Sequence, residues 1–105
     1  MKIIRAVVRP EKEEGVLRTL EAAGFNAVTK LDVLGRGRQK GLQVGTSLYD
    51  ELAKTLLMIV VEDSKLPQAM EAIRSGALTG NPGDGKIIVS PVDEVYTIRT
   101  GKPGL

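Results

Sequence analysis

Two clusters in this chain could do chemistry. The first reads Gly35-Arg36-Gly37-Arg38-Gln39-Lys40-Gly41, with three glycines and three cations in seven positions. Glycine lets a backbone approach a ligand closely, and Arg38 and Lys40 carry donors that suit phosphate or carboxylate oxygens, so the segment reads as an anion cradle at the root of a loop. The second cluster, Thr79-Gly80-Asn81-Pro82-Gly83-Asp84-Gly85-Lys86, could be its partner, with consecutive N–H groups forming an anion nest beside the point charge of Lys86.

Neither cluster is specific alone. Gly80 to Lys86 nearly spells a Walker A loop, but Ile87 stands where the magnesium-binding hydroxyl is needed, and the loop follows a helix and precedes a strand, the reverse of that motif's order. Its plain reading is a tight turn. Gly35 to Gly41 is G-x-G-x-x-x-G, one residue off the dinucleotide fingerprint and without a following helix, so its plain reading is a loop root with solvated cations. Two such clusters at the ends of different elements favour a ligand, because phosphates are best held from several sides. Lys54 and Arg99 could each be an ordinary strand-end charge. Gln39 could ligate magnesium if bound phosphates supplied most of the charge. Asp84 has the chemistry of a general base, but without a partner its turn-forming role is the better reading.

Composition narrows the classes. The chain has 105 residues, enough for one small domain that buries about two thirds of its unfolded surface. Fifteen Lys and Arg against thirteen Asp and Glu leave a net charge of +2, so any anion preference must be local. There is no Cys and no His, which removes disulfides, thiolate nucleophiles and imidazole acid-base chemistry. With only Phe25, Tyr49 and Tyr96 aromatic, a stacking platform for RNA is disfavoured. The amino end lacks a signal-peptide core and no apolar run approaches the roughly 18 residues of a membrane span, so the expectation is a cytoplasmic protein.

The elements that must position these clusters follow from periodicity. Lys2 to Arg9 predicts a strand with Ile4, Ala6 and Val8 on one face and Ile3, Arg5 and Val7 on the other. A helix starts at Glu11, carries the stripe Val16, Leu17, Leu20 and Ala23, and closes at Gly24. Asn26 to Leu34 predicts a second strand leading into the cradle. Residues 36 to 52 show neither period and read as a mobile recognition loop. Thr55 to Val61 predicts a central strand that is apolar on both faces. Ser64 caps a second helix with Pro67 in its first turn and Leu66, Ala69, Met70, Ile73 and Ala77 on its apolar stripe. Lys86 to Val89 and Val95 to Arg99 predict strand pieces broken near Pro91. The order reads as one ferredoxin-like α+β domain over 1–105, a βαββαβ sandwich with a four-stranded antiparallel sheet and two helices on one face. Two helices cover one sheet face only, so the open face, with Ile3, Val7 and half of the central strand, predicts a closed homo-oligomer.

The two glycine clusters together with Ile98-Arg99-Thr100-Gly101 resemble the PII family of nitrogen-signalling proteins over nearly the whole chain. The resemblance implies a homotrimer with ATP or ADP in the clefts between neighbours and 2-oxoglutarate chelating Mg²⁺ beside the ATP. Residue by residue it implies nucleotide contacts for Thr29, Gly35, Gly37, Arg38, Gly83, Asp84, Gly85, Lys86 and Arg99. It makes Gln39 the magnesium ligand and Lys54 the partner of a 2-oxoglutarate carboxylate, helped by backbone N–H groups around Lys40 and Gly41. Three departures stand out. Thr97 replaces an arginine often found two residues before the position of Arg99, Met58 replaces a common acidic residue, and the loop between Gly41 and Lys54 is short and lacks the tip tyrosine that some bacterial members modify. Tyr49 is not assigned that modification.

Tyr49-Asp50-Glu51-Leu52 and the segment from Val89 to Thr97 are similar to the archaeal-type branch linked to nitrogenase. That branch implies direct inhibition of the dinitrogenase component, with a sister PII-like subunit, relieved by 2-oxoglutarate with ATP. The wider family implies an ammonium transporter or glutamine synthetase as alternative targets. A regulator without chemistry of its own is thus the leading expectation, with no nucleic-acid partner. A small nucleotide or acyl-phosphate hydrolase on the same fold is the alternative of another class.

Overall fold

The computed structural model describes residues 1–36, 42–44, 47–49 and 51–105. Strand β1 (Lys2–Val8) runs through a 3₁₀ turn at Pro10–Lys12 into helix α1 (Glu13–Ala22), followed by β2 (Thr29–Gly35). Two short strands, β3 (Leu42–Val44) and β4 (Ser47–Tyr49), precede the long β5 (Leu52–Val61). A 3₁₀ turn at Asp63–Lys65 then leads into α2 (Leu66–Ala77), and the last strand is β6 (Lys86–Pro91). The main sheet has the order β2-β5-β1-β6, antiparallel throughout, so the fold is the expected βαββαβ sandwich.

The period-2 pattern of the strands sets the layers. Ile4, Ala6 and Val8 of β1 and Leu57, Ile59 and Val61 of β5 point at the helices and are buried with Val16 and Leu20 of α1 and Ala69, Ala72, Ile73 and Ala77 of α2. Burying an aliphatic side chain of this size contributes about 1.5–3 kcal/mol, so this one cluster supplies most of the favourable term. The other sheet face carries Ile3, Val7, Leu56, Met58 and Val60, all half-buried in the single chain, with Leu31 and Ile88 exposed at its borders. Arg5 stands in the middle of this face, opposite Met58 on one side and Ile88 on the other, and donates to Ser90 Oγ at 3.2 Å.

The helices are joined by a close crossing. A Cβ at Gly76 would meet the Val16 Cα at 2.7 Å and the Gly15 carbonyl oxygen at 3.0 Å. Beside this contact the Thr19 hydroxyl donates to the Ala72 carbonyl at 2.6 Å. The end of α1 is fixed as its sequence predicts. Gly24 takes φ of 94°, its N–H donates to Glu21 O, and the Phe25 N–H reaches back to Leu20 O, which satisfies two of the orphan carbonyls of the last turn.

Five local expectations are corrected. Helix α1 begins at Glu13, not Glu11, because Pro10–Lys12 winds as a 3₁₀ turn; Ala23 caps its end in solvent and is no part of the buried stripe. Ser64 caps nothing, since it lies inside the 3₁₀ turn and Lys65 occupies the N-cap of α2 without a side-chain bond. The stretch 36–52 is not wholly irregular, because β3 and β4 pair antiparallel within it and β5 starts at Leu52. Val95 to Arg99 forms no strand. That segment folds on itself, with Thr97 N–H bonding Lys102 O, Gly101 N–H bonding Thr97 O and one bridge between Tyr96 and Pro103, and Gly101 at φ of 68° allows the reversal.

Gly76→Ala gains about 1 kcal/mol of helix propensity but drives a methyl into backbone that cannot turn aside. We expect a net loss of about 1–3 kcal/mol, read as a lower urea midpoint at unchanged slope, and a smaller loss for Gly15→Ala, whose Cβ would meet one carbonyl at 3.3 Å.

Candidate functional site

The segment between α2 and β6 has no sheet ladder of its own, so side chains must hold it. Asp84 does most of this. One carboxylate oxygen accepts the N–H groups of Thr79 and Gly80, both at 2.9 Å, and the other accepts the Thr79 hydroxyl and, at 3.2 Å, Arg9 Nε. The Asn81 N–H in turn donates to Thr79 Oγ1 at 3.1 Å. These bonds hold the Asp84 carboxyl well below the usual carboxylate range, the Thr79 hydroxyl contributing most.

Three glycines let the loop close in this shape. Gly80, Gly83 and Gly85 have φ of 88°, 100° and 112°, the region that other residues avoid. At Gly85 space is decisive as well, because a Cβ would lie 1.7 Å from the Val7 carbonyl oxygen. Backbone therefore packs on backbone where the loop meets the end of β1, and Lys86 enters β6 beside it.

The loop forms one wall of a cleft of about 480 Å³ at the end of the open sheet face. Lys54, Gly83, Gly85 and Lys86 line it, and Arg36 borders it from the end of β2. Lys54 ties the two glycine clusters together. A Cβ at Gly35 would lie 3.4 Å from Cγ of Lys54, and Lys54 Nζ donates to Gly83 O at 3.0 Å. Three cations and a run of backbone groups around a concave surface suit a polyanion. The donor set fits phosphates and a carboxylate. Among the described residues it offers no free carboxylate to a metal, because both Asp84 oxygens are already bonded within the loop, so a magnesium ion here would draw largely on the ligand's own oxygens.

The sequence-derived residues fall into three groups. Gly35, Lys54, Gly83, Asp84, Gly85 and Lys86 come together at this cleft. Thr29 and Arg99 do not. Thr29 pairs opposite Met58 at the start of β2, four residues along β5 from Lys54 or about 13 Å, and lines a separate depression with Met58, Val60 and Leu105. Arg99 is exposed in the reversal after Tyr96. Gly37, Arg38, Gln39, Lys40 and Gly41 lie outside the described residues. Sequence reasoning missed Arg36 as a cleft residue, although it stands between two glycines already singled out. It also missed Arg9, which is 75 positions from Asp84 and carries no local signal.

The depressed Asp84 pKa predicts acid lability with a definite sign. Its contribution is fully present above the unfolded carboxylate value of about 3.9 and is lost as pH falls from there through the folded value. The melting temperature of the wild type should therefore drop on acidification below about pH 4, and Asp84→Asn should lower it at neutral pH and flatten that drop. A residual slope should persist from Asp63, held low by the Met1 ammonium at 3.0 Å.

The family model "Nitrogen regulatory protein P-II" matches residues 1–102. Nitrogen fixation nifHD region glnB-like protein 1 of Methanococcus maripaludis is 56% identical over 105 residues, all of both chains. The protein of that kind from Methanothermococcus thermolithotrophicus is 50% identical over the same full span. Nitrogen regulatory protein P-II 2 of Methanothermobacter thermautotrophicus is 48% identical, covering 99% of this chain and 94% of its own. This chain belongs to the PII family of nitrogen regulatory proteins, among its nif-region GlnB-like members.

Proposed function

We propose that this PII protein senses ATP or ADP together with 2-oxoglutarate and controls nitrogenase by binding its dinitrogenase component directly. The observation that carries the reading is the Lys54 bridge, whose stem packs beside Gly35 at the root of the 36–52 segment while its ammonium bonds Gly83 O of the phosphate-type loop. A carboxylate that engages the ammonium would compete with Gly83 O for it, and so act on a side chain packed against both segments. In this reading Gly83, Gly85 and Lys86 take the phosphates and Gly35, Gly37 and Arg38 flank them. Gln39 holds Mg²⁺, and Lys54 with the N–H groups of Lys40 and Gly41 takes 2-oxoglutarate. Asp84 contributes by shaping the loop.

Thr29 and Arg99 lie away from this cleft in one chain, which supports a site completed between subunits. A homotrimer formed through the open sheet face would bring the Thr29 depression of one copy towards the cleft of another. It would also cover an apolar surface that a monomer rarely leaves in water. Effector binding would then bias the recognition loop around 36–52, and the coupling would be reciprocal. PII proteins are regulators, so no reaction is assigned. No helix among the described residues is long and apolar enough to cross a membrane, and we place the protein in the cytoplasm beside its target.

The 48% identical P-II 2 relative favours a second reading, a general PII protein acting on an ammonium transporter or glutamine synthetase. A pull-down from nitrogen-fixing cell extract, with and without MgATP plus 2-oxoglutarate, separates them. The first reading expects dinitrogenase held without effectors and released with them, alone or with a sister subunit.

Calorimetry tests the sensor itself. 2-Oxoglutarate should bind measurably only with MgATP present, and equal affinity with and without it would remove the mechanism. Lys86→Ala should weaken ATP by roughly 10- to 100-fold, the value of one charge-assisted hydrogen bond. Steady-state ATP turnover abolished by that substitution would instead favour the hydrolase. Light scattering should give three times the 11.3 kDa chain mass, and a monomer at micromolar concentration would contradict the assembly.

A further inference from the structure

We infer that Arg9 is a positioning residue for the phosphate-binding wall of the cleft, acting through Asp84 and Pro82 without touching the ligand. The inference rests on the nucleotide-binding reading proposed above. Arg9 follows the last residue of β1 and makes two bonds into one loop: Nε donates to Asp84 Oδ1 at 3.2 Å, and an Nη donates to Pro82 O at 2.7 Å. Its side chain and that of Asp84 are only 25% and 22% exposed, unlike the water-bathed pairs that contribute little. Pro82, Gly83, Asp84, Gly85 and Lys86 all line the cleft, so both acceptors that Arg9 holds belong to its wall, whereas Arg9 is not one of the lining residues.

The geometry explains why an arginine is suited to the place. Asp84 binds Thr79 and Gly80, so it folds the loop onto itself but does not by that attach it to the sheet. Besides the Lys54 bond from β5 to Gly83 O, attachment comes at two points at the end of β1: the Gly85 backbone against Val7 O, and the planar fork of Arg9, just past the strand, holding a carboxylate and a carbonyl together. With three left-handed glycines in its length, the loop has wide conformational freedom once that fork is removed. Gly83 would then move relative to Lys54 and Lys86, and the phosphate donors would lose the fixed spacing on which preorganised binding depends. Lysine at position 9 would keep the charge but, as a compact point donor, could not hold both acceptors in one plane.

The test is a set of titrations of ATP and of adenosine into wild type, Arg9→Ala and Arg9→Lys, with the melting temperature and assembly mass of each. The expected result is ATP affinity lowered about tenfold or more in Arg9→Ala and by a smaller factor in Arg9→Lys, with adenosine affinity within twofold of wild type. A simple loss of stability would weaken both ligands alike, and that outcome overturns the inference. ATP affinity within twofold of wild type in Arg9→Ala overturns it as well. If Arg9→Ala fails to fold, Arg9→Lys carries the test by the same comparison. A wild type that binds no ATP overturns the functional reading and this role with it, whereas a binding wild type with an indifferent Arg9→Ala defeats the positioning role alone.

Discussion

A loop with no ladder to support it depends on whatever closes its hydrogen bonds, and here that is one carboxylate. Asp84 accepts from Thr79 twice, from Gly80 and from Arg9, and so converts eight residues rich in glycine into a defined wall. Each ordered backbone residue costs roughly 1–2 kcal/mol of conformational entropy, more for glycine, and only a multidentate acceptor at the centre can offset it without a core. The donor groups lining the cleft have their directions because this acceptor has its donors. The sheet contributes the other half, since the register of β1 against β5 and β6 brings Val7, Lys54 and Lys86 to the same end of the same face.

The fold was legible where one physical rule governed a whole element. Alternation over β1 and β5 and the apolar stripes of α1 and α2 predict the layers, and Gly24 predicts a helix end whose bonds the structure makes. Legibility failed where two local rules competed. Ser64 has the chemistry of an N-cap, but the chain winds a 3₁₀ turn over Asp63–Lys65 first, and the cap position moves to Lys65. Val95 to Arg99 has strand composition, yet Gly101 offers a reversal that brings Thr97 to Lys102 more cheaply than extending the edge of the sheet.

The candidate site was legible as chemistry and not as geometry. Gly83, Gly85 and Lys86 stood out as a glycine-rich turn beside a cation, a pattern shared with ordinary tight turns, and Lys54 took a role only through the family resemblance. Nothing in the order of residues shows that Lys54 reaches Gly83 O, or that Arg9 closes on Asp84, because both contacts arise only after β1, β5 and the loop are assembled. The separation of Thr29 from the cleft is likewise a property of register.

Arg5 sets a condition on anything that covers the open sheet face. It stands between Met58 and Ile88 with Ser90 as its one hydrogen-bond partner among the described side chains, so most of its donors are turned to solvent. A purely greasy surface laid over it would strand a cation in low dielectric, at a cost that apolar contact would struggle to offset. The face can therefore be closed only by a surface that brings an acceptor to that spot or leaves a wet seam there.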